Sequence, residues 1–251
     1  MLECDRSKIS RIETGQRTIR PKELRELLTE YGVPRREQEV LVGLARRGSA
    51  RTNWWDAYAH VLPEAVLDYI LMESAAAEIM TYDAQVVPGL LQTPEYARAM
   101  AAADPAHGSD TVREQVLAAQ RKRQETVLGG GTCLAAVIGE AALYQQVGGP
   151  EVMAGQLRAL AEVASQEPSV SLQVVPFTAG AHPAAVTASL SILRFRHAPS
   201  LSIAYLEALS GGVYRESQLD VARYTRAFAM LRAVALTCGE TARMLREVAM
   251  G

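Results

Sequence analysis

The chain has 251 residues, 49% of them hydrophobic and 22% charged, with a net charge of −2. These are the proportions of a soluble globular protein, and the length suits one large domain or a small one followed by a larger one. Cys4, Cys133 and Cys238 lie far apart without metal-ligand spacing, no basic-then-apolar leader follows Met1, and no apolar run reaches the ~18 residues of a membrane span; disulfide scaffolds, zinc modules and membrane spans are thereby set aside, and a reducing cytoplasm is the expected location.

The first predicted element is a short helix from an Asp5 N-cap to Thr14, closed by Gly15. A loop, Gln16-Arg17-Thr18-Ile19-Arg20, leads to Pro21 at a first helical position. The helix after it places Leu24, Leu27, Leu28 and Tyr31 on one apolar stripe, and Gly32 ends it. A third helix follows Pro34, turns Val40, Leu41 and Leu44 inward, and ends near Arg46-Arg47-Gly48. Residues 48–53 read as a small, polar linker. They separate a helix-turn-helix segment over 1–48 from a larger domain over 54–251.

The larger domain opens on Trp54-Trp55-Asp56-Ala57-Tyr58, an aromatic cluster expected to pack a domain edge. A helix is predicted from Glu64 to Thr81. The apolar turn Val86–Leu91 leads to Thr93-Pro94-Glu95, an N-cap, a first-turn proline and a first-turn acid. That helix runs to Ala103, and another spans Asp110 to Leu128 before Gly129-Gly130-Gly131. The period then becomes strand-like at Cys133–Ile138. A helical turn over Glu140–Gln146 and a helix over Pro150–Gln166 follow. Strands are predicted at Val170–Pro176, Val186–Phe195 and Leu201–Leu209, with Val213-Tyr214 as a fourth after Gly211-Gly212. The chain closes with a helix over Ala222–Leu236 and a last helix announced by the capping box Thr237…Glu240. The fold class expected is mostly α with a small mixed or antiparallel sheet (α+β), preceded by an all-α remnant.

Charge is uneven along this chain. Residues 1–51 hold 12 Lys/Arg against 8 Asp/Glu, net +4, and the remainder is net −6. A basic end is a weak footprint of nucleic-acid contact, which uneven sampling also produces. On a helical wheel Ile9 and Ile12 of the first helix point one way, toward a core. Ser7, Ser10, Arg11 and Thr14 lie opposite, flanked by Arg6 and Lys8. Ser, Thr and Arg suit base edges, and flanking cations suit phosphates. Spacing alone fits a solvated face on an amphipathic surface helix better than a base-reading one.

The run Ser7-Lys8-Ile9-Ser10-Arg11-Ile12-Glu13-Thr14-Gly15-Gln16-Arg17 resembles the recognition helix and turn of Xre-type (phage repressor-like) helix-turn-helix regulators. Further stretches resemble an actinobacterial subfamily in which that segment precedes a large domain: Trp54-Trp55 with Tyr58, Tyr69-Ile70 with Glu73, Val87-Pro88-Gly89-Leu90-Leu91-Gln92-Thr93-Pro94-Glu95-Tyr96-Ala97, Gln173-Val174-Val175-Pro176-Phe177 and Tyr205-Leu206-Glu207. The resemblance implies base contacts by Ser7, Ser10, Arg11 and Thr14 and phosphate contacts by Arg6, Lys8, Arg17 and Arg20. It gives Ile9 and Ile12 a docking role and makes Glu13 and Gly15 turn-setters. It also implies double-stranded DNA as partner, a homodimer, and toxin–antitoxin-like pairing with a small protein encoded nearby. That family's fold begins with two helices before the recognition helix, and only Met1–Cys4 precede Asp5 here; about 20–30 residues, two helices of ordinary length, are expected to be missing.

No enzyme signature accompanies these features, so a non-catalytic protein without cofactor or metal is expected. His60, His107, His182 and His197 are scattered, Gly129-Gly130-Gly131-Thr132 lacks the Lys-Ser/Thr of a phosphate loop, and no Gly-x-Ser-x-Gly elbow occurs. Arg121-Lys122-Arg123 reads as a solvated face, with nucleic-acid contact the minor reading. Three functions are thus weighed: a transcription regulator, a partner-binding antitoxin-like module, and a ligand-sensing regulator. The last requires a partly apolar pocket between helices and sheet.

Overall fold

The computed structural model describes residues 8, 9, 12, 19–49, 53–196, 198–208 and 212–250. Its architecture is α+β, with helices on both faces of a mixed sheet. Two helices come first. Helix α1 (Pro21–Glu30) starts on proline as its sequence dictates, and Leu28 is its buried residue. Tyr31, predicted inward, is 59% exposed, because the helix has already closed on it: its N–H bonds to Leu27 O as the C-cap. In α2 (Arg35–Ser49) the deepest residue is Val42, between the predicted Leu41 and Leu44, and Val40 packs against the main core.

Helix α3 (Glu64–Ala75) is shorter than predicted. Its extension to Thr81 is wrong: Ala76 turns extended, and Glu78–Asp83 is a strand, β1. The remaining strands are β2 (Cys133–Gly139), β3 (Val170–Val175), β4 (Ser189–Arg194), β5 (Ile203–Leu206) and β6 (Val213–Arg215). The sheet order is β3-β2-β1-β4-β5-β6. β1, β2 and β3 run parallel, while β4, β5 and β6 continue antiparallel from the other side of β1. The unpredicted strand is therefore the pivot at which the sheet changes sense.

Parallel neighbours require crossovers. Helices α4 (Pro94–Ala103) and α5 (Asp110–Gly129) join β1 to β2, and α6 (Ala141–Tyr144) with α7 (Pro150–Gln166) joins β2 to β3. One sheet face, with Ile79, Leu134, Leu172, Leu193 and Ile203, packs beneath α3, α7 and the last helix α9 (Cys238–Met250), whose Leu245 is fully buried. The opposite face, with Met80, Val137 and Ile192, meets Phe228 and Leu231 of α8 (Gln218–Val234). Helix α8 begins four residues before the predicted start, at its Ser217 cap.

Local signals placed most helix starts. Thr237 and Glu240 form the expected reciprocal box, Thr237 N–H donating to Glu240 Oε2 at 2.9 Å and Glu240 N–H to Thr237 Oγ1 at 3.3 Å. Thr93 Oγ1 accepts from Tyr96 N–H at 3.3 Å ahead of Pro94. Thr93→Ala should therefore lower the unfolding free energy by about 1 kcal/mol, the usual worth of such a cap, seen as a lower urea midpoint with an unchanged slope.

Candidate functional site

The residues predicted to contact DNA, dock the first helix or set its turn divide between described and undescribed parts of the chain. Arg6, Ser7, Ser10, Arg11, Glu13, Thr14, Gly15 and Arg17 lie outside the described residues, as does His197. Lys8, Ile9 and Ile12 are helical and half-buried. Lys8 Nζ sits 3.0 Å from Glu23 Oε1, which ties it to α1 and holds the Glu23 carboxyl below its ordinary range. Arg20 is exposed at the N-cap of α1.

The most developed site lies elsewhere, at the carboxyl end of β1. Side chains alternate along strands, so every second residue shares a face. On the face beneath α3, Ile79 aligns with Leu193, Thr81 with Ser191, and Asp83 with Ser189. Across the next ladder Leu193 meets Ile203 and Ser191 meets Tyr205. The floor thus passes from an apolar rung to a hydroxyl rung and then to a carboxyl rung. Thr81 Oγ1 is 3.2 Å from Ser191 Oγ and donates to Asp83 Oδ2 at 3.4 Å. Thr81, Asp83 and Ser191 are all buried.

Two helices close this polar floor. On α3, Val66, Tyr69, Ile70 and Glu73 recur at i, i+3, i+4 and i+7, an inward stripe that ends in a carboxylate with no exposed surface. On α5, Gln120, Arg123 and Gln124 share one face with buried Val127. Arg123 meets Glu73 fork to fork, with Nη2–Oε1 at 2.7 Å and Nε donating to Oε2. The guanidinium also lies over the Tyr69 ring, 5.4 Å from its centroid. Tyr69, Tyr205 and Tyr214 form a chain of rings with centroids 4.7 and 4.9 Å apart. Between floor and helices remains a cavity of about 270 Å³.

Its electrostatics follow from burial. Desolvation pushes the Asp83 carboxyl up to about 6, against hydrogen bonds from Ser189 and Thr81 that favour its charge. Glu207, which lines the same cavity, adds repulsion. Burial works against the Arg123 charge too, but the Glu73 carboxylate outweighs it and holds the guanidinium more firmly protonated. Tyr69 and Tyr205 are pushed up by burial, with nearby carboxylates acting in the same direction.

The roof is the 86–92 segment, and glutamines pin it. Gln92 donates to Val87 O at 2.7 Å, Gln120 to Gly89 O at 3.2 Å, and Gln124 to both Gly89 O and Gln92 O at 2.9 Å. Fully buried Gln156 of α7 donates to Leu91 O at 2.8 Å and accepts from Thr93 N–H at 2.7 Å. The carbonyls of Val87, Gly89, Leu91 and Gln92 are thereby satisfied around the single 3-10 turn Gly89–Leu91.

The features set aside in the sequence fall as follows. Arg121 and Lys122 are exposed, but Arg123 is not part of a solvated face; its helical position turns it inward to Glu73. His60 bonds Gln115 at 3.1 Å on the surface, and His107 lies near Ala101 O and Asp104. His182 packs edge-on to Tyr82, with centroids 6.0 Å apart, across the sheet from the cavity. Glu39 pairs with Arg35 on the exposed face of α2 at 3.9 Å. Gly129-Gly130-Gly131 ends α5, with Gly131 at φ 77°, a backbone role that suits glycine. The Trp54–Tyr58 turn packs against α5 with Trp55 buried. Among the described residues no three His, Cys, Asp or Glu side chains are placed to hold a metal ion, and no helix is long and apolar enough to cross a membrane.

The sequence reading missed the cavity, although signals for it were present. A carboxylate on the apolar stripe of α3 and a polar i, i+3, i+4 stripe on α5 both ask for buried partners. The family profile described as a domain of unknown function (DUF5753) matches residues 66–247, which contain nearly all of this site. No curated protein and no solved structure matches the chain.

Proposed function

We propose, since this chain belongs to the DUF5753 family, that its family domain senses a small molecule and that the helices ahead of it contact double-stranded DNA, making the whole a ligand-responsive transcription regulator. One observation carries the sensing role: the partly open cavity at the carboxyl end of β1, lined by convergent polar groups beside apolar ones. Carboxyl ends of strands and partly apolar cavities between helices and sheet are where α/β proteins take ligands. Helix α3 supplies Val66, Tyr69 and Glu73 to that cavity and also packs against α2. A ligand that prefers one position of α3 would bias the N-terminal helices by its differential affinity.

The DNA role rests on the net +4 of residues 1–51 and on the resemblance of residues 7–17 to a recognition helix. A dimer would read two half-sites about 34–36 Å apart. Fluorescence anisotropy with duplexes selected from genomic fragments tests it. Binding should weaken steeply with salt, and Arg11→Ala should relax preference at one base position at about 1–3 kcal/mol. Binding without sequence preference, or none, overturns the DNA role.

A second reading, a small protein partner, is favoured by the loop after β3, where Phe177 is 65% and Val186 95% exposed. Exposed apolar side chains of this kind mark interaction surfaces when they form a patch. Co-purification with the product of a neighbouring small gene, lost in Phe177→Ser, would support it, and no association at micromolar concentration would remove it.

A further inference from the structure

We infer that the cavity takes a small organic cation, an ammonium group carried on an apolar or aromatic arm; the inference rests on the sensing role proposed above and gives its ligand class.

The sign of the charge comes first. Four charged residues line the cavity: Glu73, Asp83, Arg123 and Glu207. Glu73 and Arg123 answer each other fork to fork, which leaves Asp83 and Glu207 facing the space without a lining cation of their own. An anion would meet two carboxylates there. A cation would meet Asp83 behind a rung of hydroxyls, Thr81, Ser189 and Ser191, whose oxygens accept hydrogen bonds. An ammonium offers three donors and no acceptor, which matches such a floor.

Shape and surroundings narrow the class. About 270 Å³ is just below the ~300–1,000 Å³ common for ligand pockets, which fits a small metabolite rather than a peptide or a dinucleotide. Val66, Val87 and Met100 supply an apolar wall for an arm. A transition-metal or zinc site is not what the lining resembles, because no three His, Cys, Asp or Glu side chains among the described residues converge. The roof adds only the neutral amides of Gln92 and Gln120.

Proton linkage gives the class a signature. Asp83 shares its surroundings with Glu73 and Tyr69 of α3, Tyr96 of α4, Arg123 of α5, and Tyr205 and Glu207 at β5. Burial pushes the Asp83 carboxyl up to about 6, where it changes charge close to neutrality. Below that value the floor loses one negative charge, so a bound cation is held less tightly; an anion would show the opposite trend.

The test is isothermal titration of the full chain with three probes of similar shape: 2-phenylethylammonium, 2-phenylethanol and 3-phenylpropionate. At pH 7.5 the ammonium should bind at least tenfold tighter than either other probe. Its affinity should fall about tenfold by pH 5. Asp83→Asn should bind it at least tenfold more weakly at pH 7.5 and without that pH trend, and Glu207→Gln should weaken it less. Equal or tighter binding of the alcohol or the carboxylate overturns the cation class and leaves the sensing role standing. Ammonium binding unchanged in both Asp83→Asn and the cavity-filling Ser191→Phe locates it elsewhere and overturns the assignment to this cavity. No saturable binding of any probe at millimolar concentration also overturns the ligand class. The sensing role is then judged separately, by whether Ser191→Phe changes DNA affinity in cell extract, where the natural ligand is present.

Discussion

Arg123→Met should destabilise the fold by about 3–5 kcal/mol, the usual effect of removing one partner from a buried ion pair. The reason is what it leaves behind. Glu73 has no exposed surface, and its two oxygens are held by the guanidinium alone among the hydrogen bonds of the site. Without Arg123 that carboxylate would sit unpaired in a low-dielectric setting. Glu73→Leu with Arg123→Met should recover most of the stability, because an apolar pair removes the desolvation of both charges. Urea unfolding of the native, single and double variants at pH 7.5 measures all of this. A single variant within about 1 kcal/mol of native at pH 7.5 would mean that Glu73 is hydrated, not buried.

Asp83→Asn should do the reverse. Burial pushes the folded carboxyl up to about 6 from an ordinary 3.8. Between those values the native state holds more protons than the unfolded one, so stability falls as pH rises through that window and levels off above it. At ~1.4 kcal/mol per pKa unit, a charged Asp83 costs the fold about 3 kcal/mol at neutral pH. The amide has no charge to desolvate and still accepts from Thr81, so the variant should be up to about 3 kcal/mol more stable at pH 7.5 and no more stable below pH 4. Urea midpoints at the two pH values give the comparison, and no gain at pH 7.5 would show that the folded carboxylate is solvated. A side chain kept at a cost to the fold is the usual mark of a functional site.

Much of the outer frame was legible because its signals are local. Pro21, Thr93-Pro94 and the Thr237–Glu240 box each mark a helix start with residues a few positions apart. β1 was not legible. Ala75-Ala76-Ala77-Glu78 are good helix formers and prolong the period of α3, while a central strand buried on both faces shows no alternation to break it. Missing β1 hid the sheet's change of sense and the cavity at its end. Arg123 was misread because its meaning is nonlocal: a run of three cations looks solvated until a carboxylate fifty positions away is folded against it. Lys8, Ile9 and Ile12 were at least found on a helix, though Lys8 reaches Glu23 as well as any phosphate.

The four glutamines, counting Gln92 itself, that gather on the 86–92 roof bear on how the proposed sensor would choose among molecules. A segment held at so many of its carbonyls arrives already in its final shape, so little freedom is lost when something settles beneath it. In the proposed sensor such a mould would reject by bulk, since its walls would not swell to admit a longer homologue, while the carboxylates below would reject by sign. Discrimination by size and by charge would then be divided between two parts of the chain, so that one could be altered without disturbing the other.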